Sequence, residues 1–483
     1  EAKLVQMGTH PLLPFNLWAD GESGRGAFFT PDAGENWLFS PNHAAHYPMV
    51  FAFSHTLPTE IYLTSWMNDG ELMTSKDEGH NWTDLAPLIA AGVSDETREL
   101  GLYDDSKRRW LHLHGLAVAA SDSNVIYVGS VHDTVYPDVE FNLTGAHIFK
   151  SVDGGESFVE MSNGFPIETR TSINVIVIHP TNPDIAYAMT SLHETEVAIG
   201  IYKTEDGGEN WRAINNGLDL YTNDLQMDSI SYDTLYAATE RGVYKTSNGG
   251  EKWNRVSAGI PDDMPVIDLA IDQINPLVLY AITPDHVYRT RNGGDRWHVV
   301  DYGLPLLTSS EVASAQSEIP YPNDLARSNA AKSGHSIYGR TFAQDRSLEI
   351  DATGRVLYVV VKTKASDKYG PEYHKIRRLY RAILLPLTSV EYQFEVEGKT
   401  ISVESTSHVY GMTYDKGLRE IRFTSAGPVG TLGKTSINIP EDMIPGSYIV
   451  SVEGIIVDTL SDDGYVTFEY DHSGRNEVVI SNK

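Results

Sequence analysis

The sequence predicts an all-β chain: a seven-bladed β-propeller over residues 1–386, then an immunoglobulin-like β-sandwich over 387–483. Three observations carry this. A box, Ser/Thr-x-Asp/Asn-x-Gly-x-x-Trp/Phe, recurs six times with shortest steps of 42 to 45 residues. A short apolar strand holding a tyrosine recurs with it, at Tyr62, Tyr127, Tyr187, Tyr236, Tyr280 and Tyr358. Past Pro386 the repeats stop and apolar/polar alternation begins. The repeat length is that of a four-stranded propeller blade.

The boxes are Thr30-Asp32-Gly34-Trp37, Ser75-Asp77-Gly79-Trp82, Ser151-Asp153-Gly155-Phe158, Thr204-Asp206-Gly208-Trp211, Thr246-Asn248-Gly250-Trp253 and Thr290-Asn292-Gly294-Trp297. Each suits a tight turn between the third and outermost strands. Its Asp or Asn accepts nearby backbone N–H groups, its Gly takes positive φ, and its aromatic ring packs back on the sheet. Asn248 and Asn292 keep the hydrogen bonds without the charge, which speaks for a structural role. Before each tyrosine strand lies another apolar run, such as 172–179 or 266–273, behind a turn signal. A seventh unit (SLEIDATGRVLYVVV, then RRLYRAILL) lacks a box. Glu1 to Gly8 is expected to supply the strand that closes the ring against blade 7.

The boxes, best seen in GIYKTEDGGENW, resemble the Asp-box or bacterial neuraminidase repeat. That repeat occurs in sialidases, xyloglucanase-type glycoside hydrolases, sortilin-type receptors and photosystem assembly factors. The resemblance implies the propeller fold and leaves the activity open. The Arg-Ile-Pro start of sialidases is missing, and Arg25 is the only arginine of blade 1. Where xyloglucanases carry Thr-Asp-Val-Gly-Gly, this chain reads LWADGESGRG, so Asp20 or Glu22 matches only loosely and no second carboxylate is assignable. Basic patches expected of photosystem assembly factors are not evident. The stretch LHGLAVAASDSNVIYVGS is similar to a group of prokaryotic secreted propellers.

Lys plus Arg number 37 and Asp plus Glu 66, a net charge of −29. That excludes nucleic acid as the expected partner, because phosphates need basic side chains to displace their counterions. A 41% apolar fraction supports a packed core, and the absence of cysteine rules out disulfides and thiolate metal sites. No apolar run reaches transmembrane length. The start at Glu1 rather than Met carries the expectation of a removed leader.

Loop lengths separate the two faces. Tyr to box Ser/Thr takes 10 residues in blades 5 and 6, but 13 in blade 2, 17 in blade 4 and 24 in blades 3 and 7. Long connections also run at about 86–111 and 301–345. All of these are expected on the face opposite the boxes, and insertions gathered on one face mark a binding face. Histidines gather there too: His43, His46, His112, His114, His132, His193 and His335. Imidazole with carboxylate suits Zn or Cu. His114, His132, Asp133 and His193 are the candidate metal ligands, with Ca a competing idea through oxygen-rich loops such as Asp20-Gly21-Glu22.

Residues 388–483 read as about seven short strands between turn signals. The run INIPEDMIPGSYIVSVEG resembles C-terminal domains of archaeal exported surface proteins. Two sequons, Asn81-Trp82-Thr83 and Asn142-Leu143-Thr144, are candidate glycosylation sites on an exported chain. These features favour an extracellular, cell-surface binding or scaffold protein, with a glycan or an envelope protein as partner and no required cofactor. The alternatives are a glycoside hydrolase with paired carboxylates and a metal-binding propeller.

Overall fold

The computed structural model describes residues 7–13, 16–21, 26–31, 36–40, 48–65, 72–104, 113–130, 143, 145–169, 171–191, 199–262, 264–284, 286–300, 347–351, 356–364, 375–384, 389–427, 431–462, 465–472 and 474–482. The chain is a seven-bladed β-propeller followed by an immunoglobulin-like β-sandwich. Six antiparallel meanders of four strands and one of three form the blades. The innermost strands are Met7–Thr9, Pro48–Phe53, Leu113–Val118, Ser172–Ile178, Thr222–Met227, Asp268–Ile271 and Ser347–Ile350.

At the ring closure, residues 1–6 of the expected closing segment lie outside the described residues; its described end, within Met7–Thr9, pairs with Leu17–Gly21 as the innermost strand of its own blade. Among the described residues blade 7 has three strands, Ser347–Ile350, Val356–Lys364 and Lys375–Ile383. The seam closes by packing and side-chain bonds: the Thr9 hydroxyl donates to Ile350 O at 3.4 Å and to Glu349 Oε2 at 3.5 Å. Met7, Leu17 and Ala19 pack on Val356 and Tyr358 across it. A sequence with an N-terminal segment and an incomplete last blade does not say which sheet receives the segment. The pairing partner is decided in three dimensions.

The tyrosine repeat lies between blades. Tyr62, Tyr127, Tyr187, Tyr236 and Tyr358 are among the largest fully buried side chains. The Tyr62 hydroxyl donates to Gly154 O in the next blade's box at 3.2 Å, and Tyr127 donates to Pro183 O in the next blade at 3.2 Å. Burial pushes the pKa of both phenols up, beyond the usual tyrosine range.

Ten described strands build the sandwich, in two five-stranded sheets, against the about seven expected. Six of them match alternating runs in the sequence; the other four are His408–Asp415, Leu432–Asn438, Ile455–Val457 and Thr459–Asp462, the last two being only 3 and 4 residues long. Its core is aliphatic and aromatic, around Ile401, Phe423, Val450, Phe468 and Ile480. At one end lies a buried polar network. The Ser407 hydroxyl meets Tyr470 OH at 2.8 Å and His472 Nε2 at 2.6 Å, and Thr431 Oγ1 meets His472 Nδ1 at 2.7 Å. Nearby, Ala426 and Tyr410 pack against the cluster of blades 1 and 7.

Candidate binding face and central channel

An antiparallel meander puts its first and third turns at one end of the blade and its second turn at the other. The described boxes occupy the third turn. Each first residue's hydroxyl accepts the N–H of the box Gly, from Gly79 to Ser75 at 2.8 Å and from Gly208 to Thr204 at 2.9 Å. The same hydroxyl donates to the Asp or Asn two residues on, at 2.8 Å for both Asp206 and Asn248. That Asp or Asn accepts the N–H four residues beyond itself, at 2.8 Å from Asn81, 2.9 Å from Ser157, 2.9 Å from Asn210, 3.1 Å from Lys252 and 3.1 Å from Arg296. The box Gly sits at φ between 81° (Gly79) and 96° (Gly294), where a Cβ would clash. Side-chain hydrogen bonds hold Asp77 (from Asn81) and Asp153 (from Ser157, then Ser151) down at about 2. Asp32 lies outside the described residues, while Trp37 packs, half-buried, at the seam between blades 1 and 7.

The box aromatic does more than pack on its own sheet. Trp211, Trp253 and Trp297 donate their indole N–H to the preceding blade, at Met161 O (2.8 Å), Ile214 O (2.8 Å) and Val256 O (2.7 Å). Trp82 reaches Ser40 Oγ at 3.0 Å, while Phe158 has no such donor and is simply buried. A second repeat, missed in the sequence, belongs to this staple. Gly164, Gly217 and Gly259 each follow the box aromatic of their own blade by six residues. A Cβ on any of them would meet the carbonyl oxygen of Trp211, Trp253 or Trp297 at 2.2 to 2.5 Å. The constant spacing was the available signal.

On the opposite face, much of the predicted metal set cannot be placed. His132, Asp133, His193, His43, His46, His112, His335, Glu22 and Asn142 lie outside the described residues. Asp20 lies in the second strand of blade 1. His114, second in its strand, is buried, and its carbonyl accepts the Thr64 hydroxyl at 3.1 Å. No group of three His, Cys, Asp or Glu among the described residues is placed to hold a metal ion. Asn81 is exposed and its amide donates to Asp77 Oδ2 at 2.6 Å.

The described part of the blade 2–3 connection does not stand out from that face as expected. It holds two short helices, Ala86–Ala91 and Asp95–Glu99, and lies along the outer edge of blade 3. Glu160 N–H donates to Gly92 O at 3.0 Å, so the connection covers an edge strand. Glu160 anchors it further, accepting Ser94 N–H at 2.9 Å, the Thr97 hydroxyl at 2.8 Å and His147 Nδ1 at 2.7 Å. Burial pushes the Glu160 carboxyl up, but the His147 ring and these donors outweigh it and hold the group at about 2. Arg98 stacks over Tyr103 at 4.6 Å, and Tyr103 bridges to Leu143 of the blade 3 insertion. That bridge ties the described part of the blade 2–3 connection to Leu143.

The channel contains a constellation the sequence reading missed. Two adjoining cavities of about 550 and 380 Å³ run along the inner strands and share Thr9, Phe53, Gln226, Leu269 and Glu349. Asp224, Asp268 and Glu349, from blades 5, 6 and 7, line the second. Asp224 Oδ2 accepts Gln226 Nε2 at 3.0 Å and Leu269 N–H of the next blade at 3.2 Å. Asp268 Oδ2 accepts Leu348 N–H of the blade after that at 2.8 Å. Glu349 receives Thr9 of blade 1 at 3.5 Å. Each carboxylate therefore bridges one blade to the next. Burial pushes all three up, with the Asp224 charge adding to the effect on Asp268 and Glu349, and Glu349 reaches about 8. The signal in the sequence was an acid followed by Leu or Ile in three successive inner strands: NDL, IDL, LEI.

No family model matches the chain, and no curated protein does. Solved structures do. A GH74 enzyme from Niastella koreensis is 15% identical with a TM-score of 0.52, over 90% of this chain and 64% of that one. The GH74 xyloglucanase from Xanthomonas campestris is 14% identical with a TM-score of 0.48, over 89% and 64%. The extracellular domain of a hybrid two-component system protein from B. thetaiotaomicron is 11% identical with a TM-score of 0.44, over 89% and 44%. The chain spans less than two thirds of the length of these proteins. At such identities the likeness is one of fold: this is a β-propeller protein. No described helix is long and apolar enough to cross a membrane.

Proposed function

We propose that this is an exported Asp-box propeller of the cell surface, which binds a glycan or an envelope protein through the face opposite its boxes and does not turn its ligand over. The propeller (1–386) and the sandwich (387–483) act as separate domains in this reading. One observation carries it: the described boxes and the channel carboxylates are occupied in joining blades, while the loop lengths in the sequence put the longest insertions at turns other than the box turns. Side chains already engaged in structural hydrogen bonds are poorly placed for chemistry, and surface loops are free to vary. The extracellular provenance of the two-component system domain is in keeping with the location.

The test removes a loop. Replacing residues 131–142 with a short Gly/Ser linker, which leaves the buried Leu143 and Ala146 in place, should abolish binding to an immobilised panel of envelope polysaccharides and surface proteins, with thermal stability little changed. Retained binding would move the site off this face. Glycoside hydrolysis is the second reading, favoured by one observation: a Glu349 carboxyl that stays protonated near neutral pH beside Asp224 has the property of a general acid. Release of reducing ends from xyloglucan, lost in Glu349→Gln, would replace the binding reading by this one.

A further inference from the structure

The sandwich has an apolar edge of its own. Ile455–Val457 is the last strand of one sheet and Thr459–Asp462 the last strand of the other. Only Asp458 separates them, so the chain passes from sheet to sheet and presents one outer edge over 455–462. The first pairs inward with Tyr448–Val452 and the second with Tyr465–Asp471. Among the described residues no strand pairs with either on the outer side. Ile455, Ile456 and Leu460 are 70, 71 and 76% exposed on this edge. Edge strands are ordinarily blunted by shortness, charged side chains, proline or bulges; this edge is short and its charges are acidic. Residues 455–462, IIVDTLSD, have neither lysine nor proline.

Charge selects the occupant. Between Lys434 and Arg475 there are eight Asp or Glu and no Lys or Arg. Asp442 and Glu469 are paired, with Lys399 and, at 3.5 Å, with Lys434. Glu453 and Asp458 are exposed beside the apolar residues, and Asp462 and Asp463 follow in sequence. A second copy docking edge to edge would set Glu453 and Asp458 against their like. A cationic partner would neutralise them. We propose that this edge docks a cationic, extended segment of another protein, which adds to it as a strand and lays apolar side chains on Ile455, Ile456 and Leu460.

The experiment uses the whole chain and a labelled ten-residue peptide of alternating Lys and Val, with a Glu/Val twin as control. The Lys/Val peptide should bind by fluorescence anisotropy and slow amide exchange within 455–462; the twin should not. In the double variant Ile456→Asp with Leu460→Asp, affinity should fall about tenfold or more. General attraction to a chain of net charge −29 predicts the opposite, because the variant is more acidic. Equal or tighter binding by the variant, or protection confined to other segments, would overturn the proposal. So would sedimentation of the wild type as a dimer that the variant abolishes, which assigns the edge to a second copy.

Discussion

At the residue scale the box works through one buried hydroxyl. Thr204 is 1% exposed; it accepts Gly208 N–H at 2.9 Å and donates to Asp206 at 2.8 Å. Thr204→Val keeps the shape and leaves a buried N–H unpaired, a loss of roughly 1–3 kcal/mol. Chemical denaturation should show that loss in blade 4, while Thr204→Ser should restore most of the stability. The aspartates add a pH dependence at the acid end. Asp153 is depressed to about 2, so its contribution is present above the ordinary aspartate pKa and is lost as pH falls toward 2. Asn248 and Asn292 make equivalent bonds without titrating, so their boxes should be indifferent to acid.

At the scale of the element, blades are joined less by strand pairing than by side chains reaching from one meander to the next. The connection between blades 2 and 3 shows how much rests on one such group. Glu160 holds a helix start, a hydroxyl and His147 together. Both partners of the Glu160–His147 pair are buried, with side chains 2% and 0% exposed. Removing one partner of a buried pair costs about 3–5 kcal/mol, because the other groups lose their acceptor without regaining water. Glu160→Ala should therefore lower the denaturation midpoint strongly. Amide exchange should speed up first in 86–100. Insensitivity of that segment would mean that the apolar packing of Ile89 and Val93 suffices to hold it.

At the scale of the whole molecule the channel carboxylates set a second pH dependence, of opposite sign. The Asp224, Asp268 and Glu349 pKa values are raised, so the folded ring holds protons that the unfolded chain releases from about pH 4 upward. Their contribution is fully present below the unfolded pKa and is lost as pH rises, through about 8 for Glu349. With Asp153 and Glu160 acting below pH 4, thermal stability should be greatest in weak acid and fall toward pH 9. Asp268→Asn keeps an acceptor for Leu348 N–H and removes one of the crowded charges. It should flatten the alkaline limb, and thermal melts at pH 5, 7 and 9 check this. An unchanged limb would place the responsible groups outside the channel.

Blade number, strand order within a blade and the β-rich tail were legible in the sequence, because each is local. A box needs its own hydroxyl, Asp or Asn, and Gly, and a strand shows its own apolar run. The division of faces was legible too, since an antiparallel meander dictates which turns lie together. What the sequence left open are contacts between blades. Asp224 and Asp268 lie one blade step, 44 residues, apart, but Glu349 lies 81 residues beyond Asp268, so the repeat does not by itself show that the three carboxylates meet. Only ring closure brings them into one channel. The same holds for Met7–Thr9, whose partner strand is chosen by packing, and for the sheet-crossing edge at 455–462, where two strands of three and four residues pair with longer neighbours in different sheets. Short-range chemistry determined the units; tertiary structure decided how they meet, because the groups that join them are far apart along the chain.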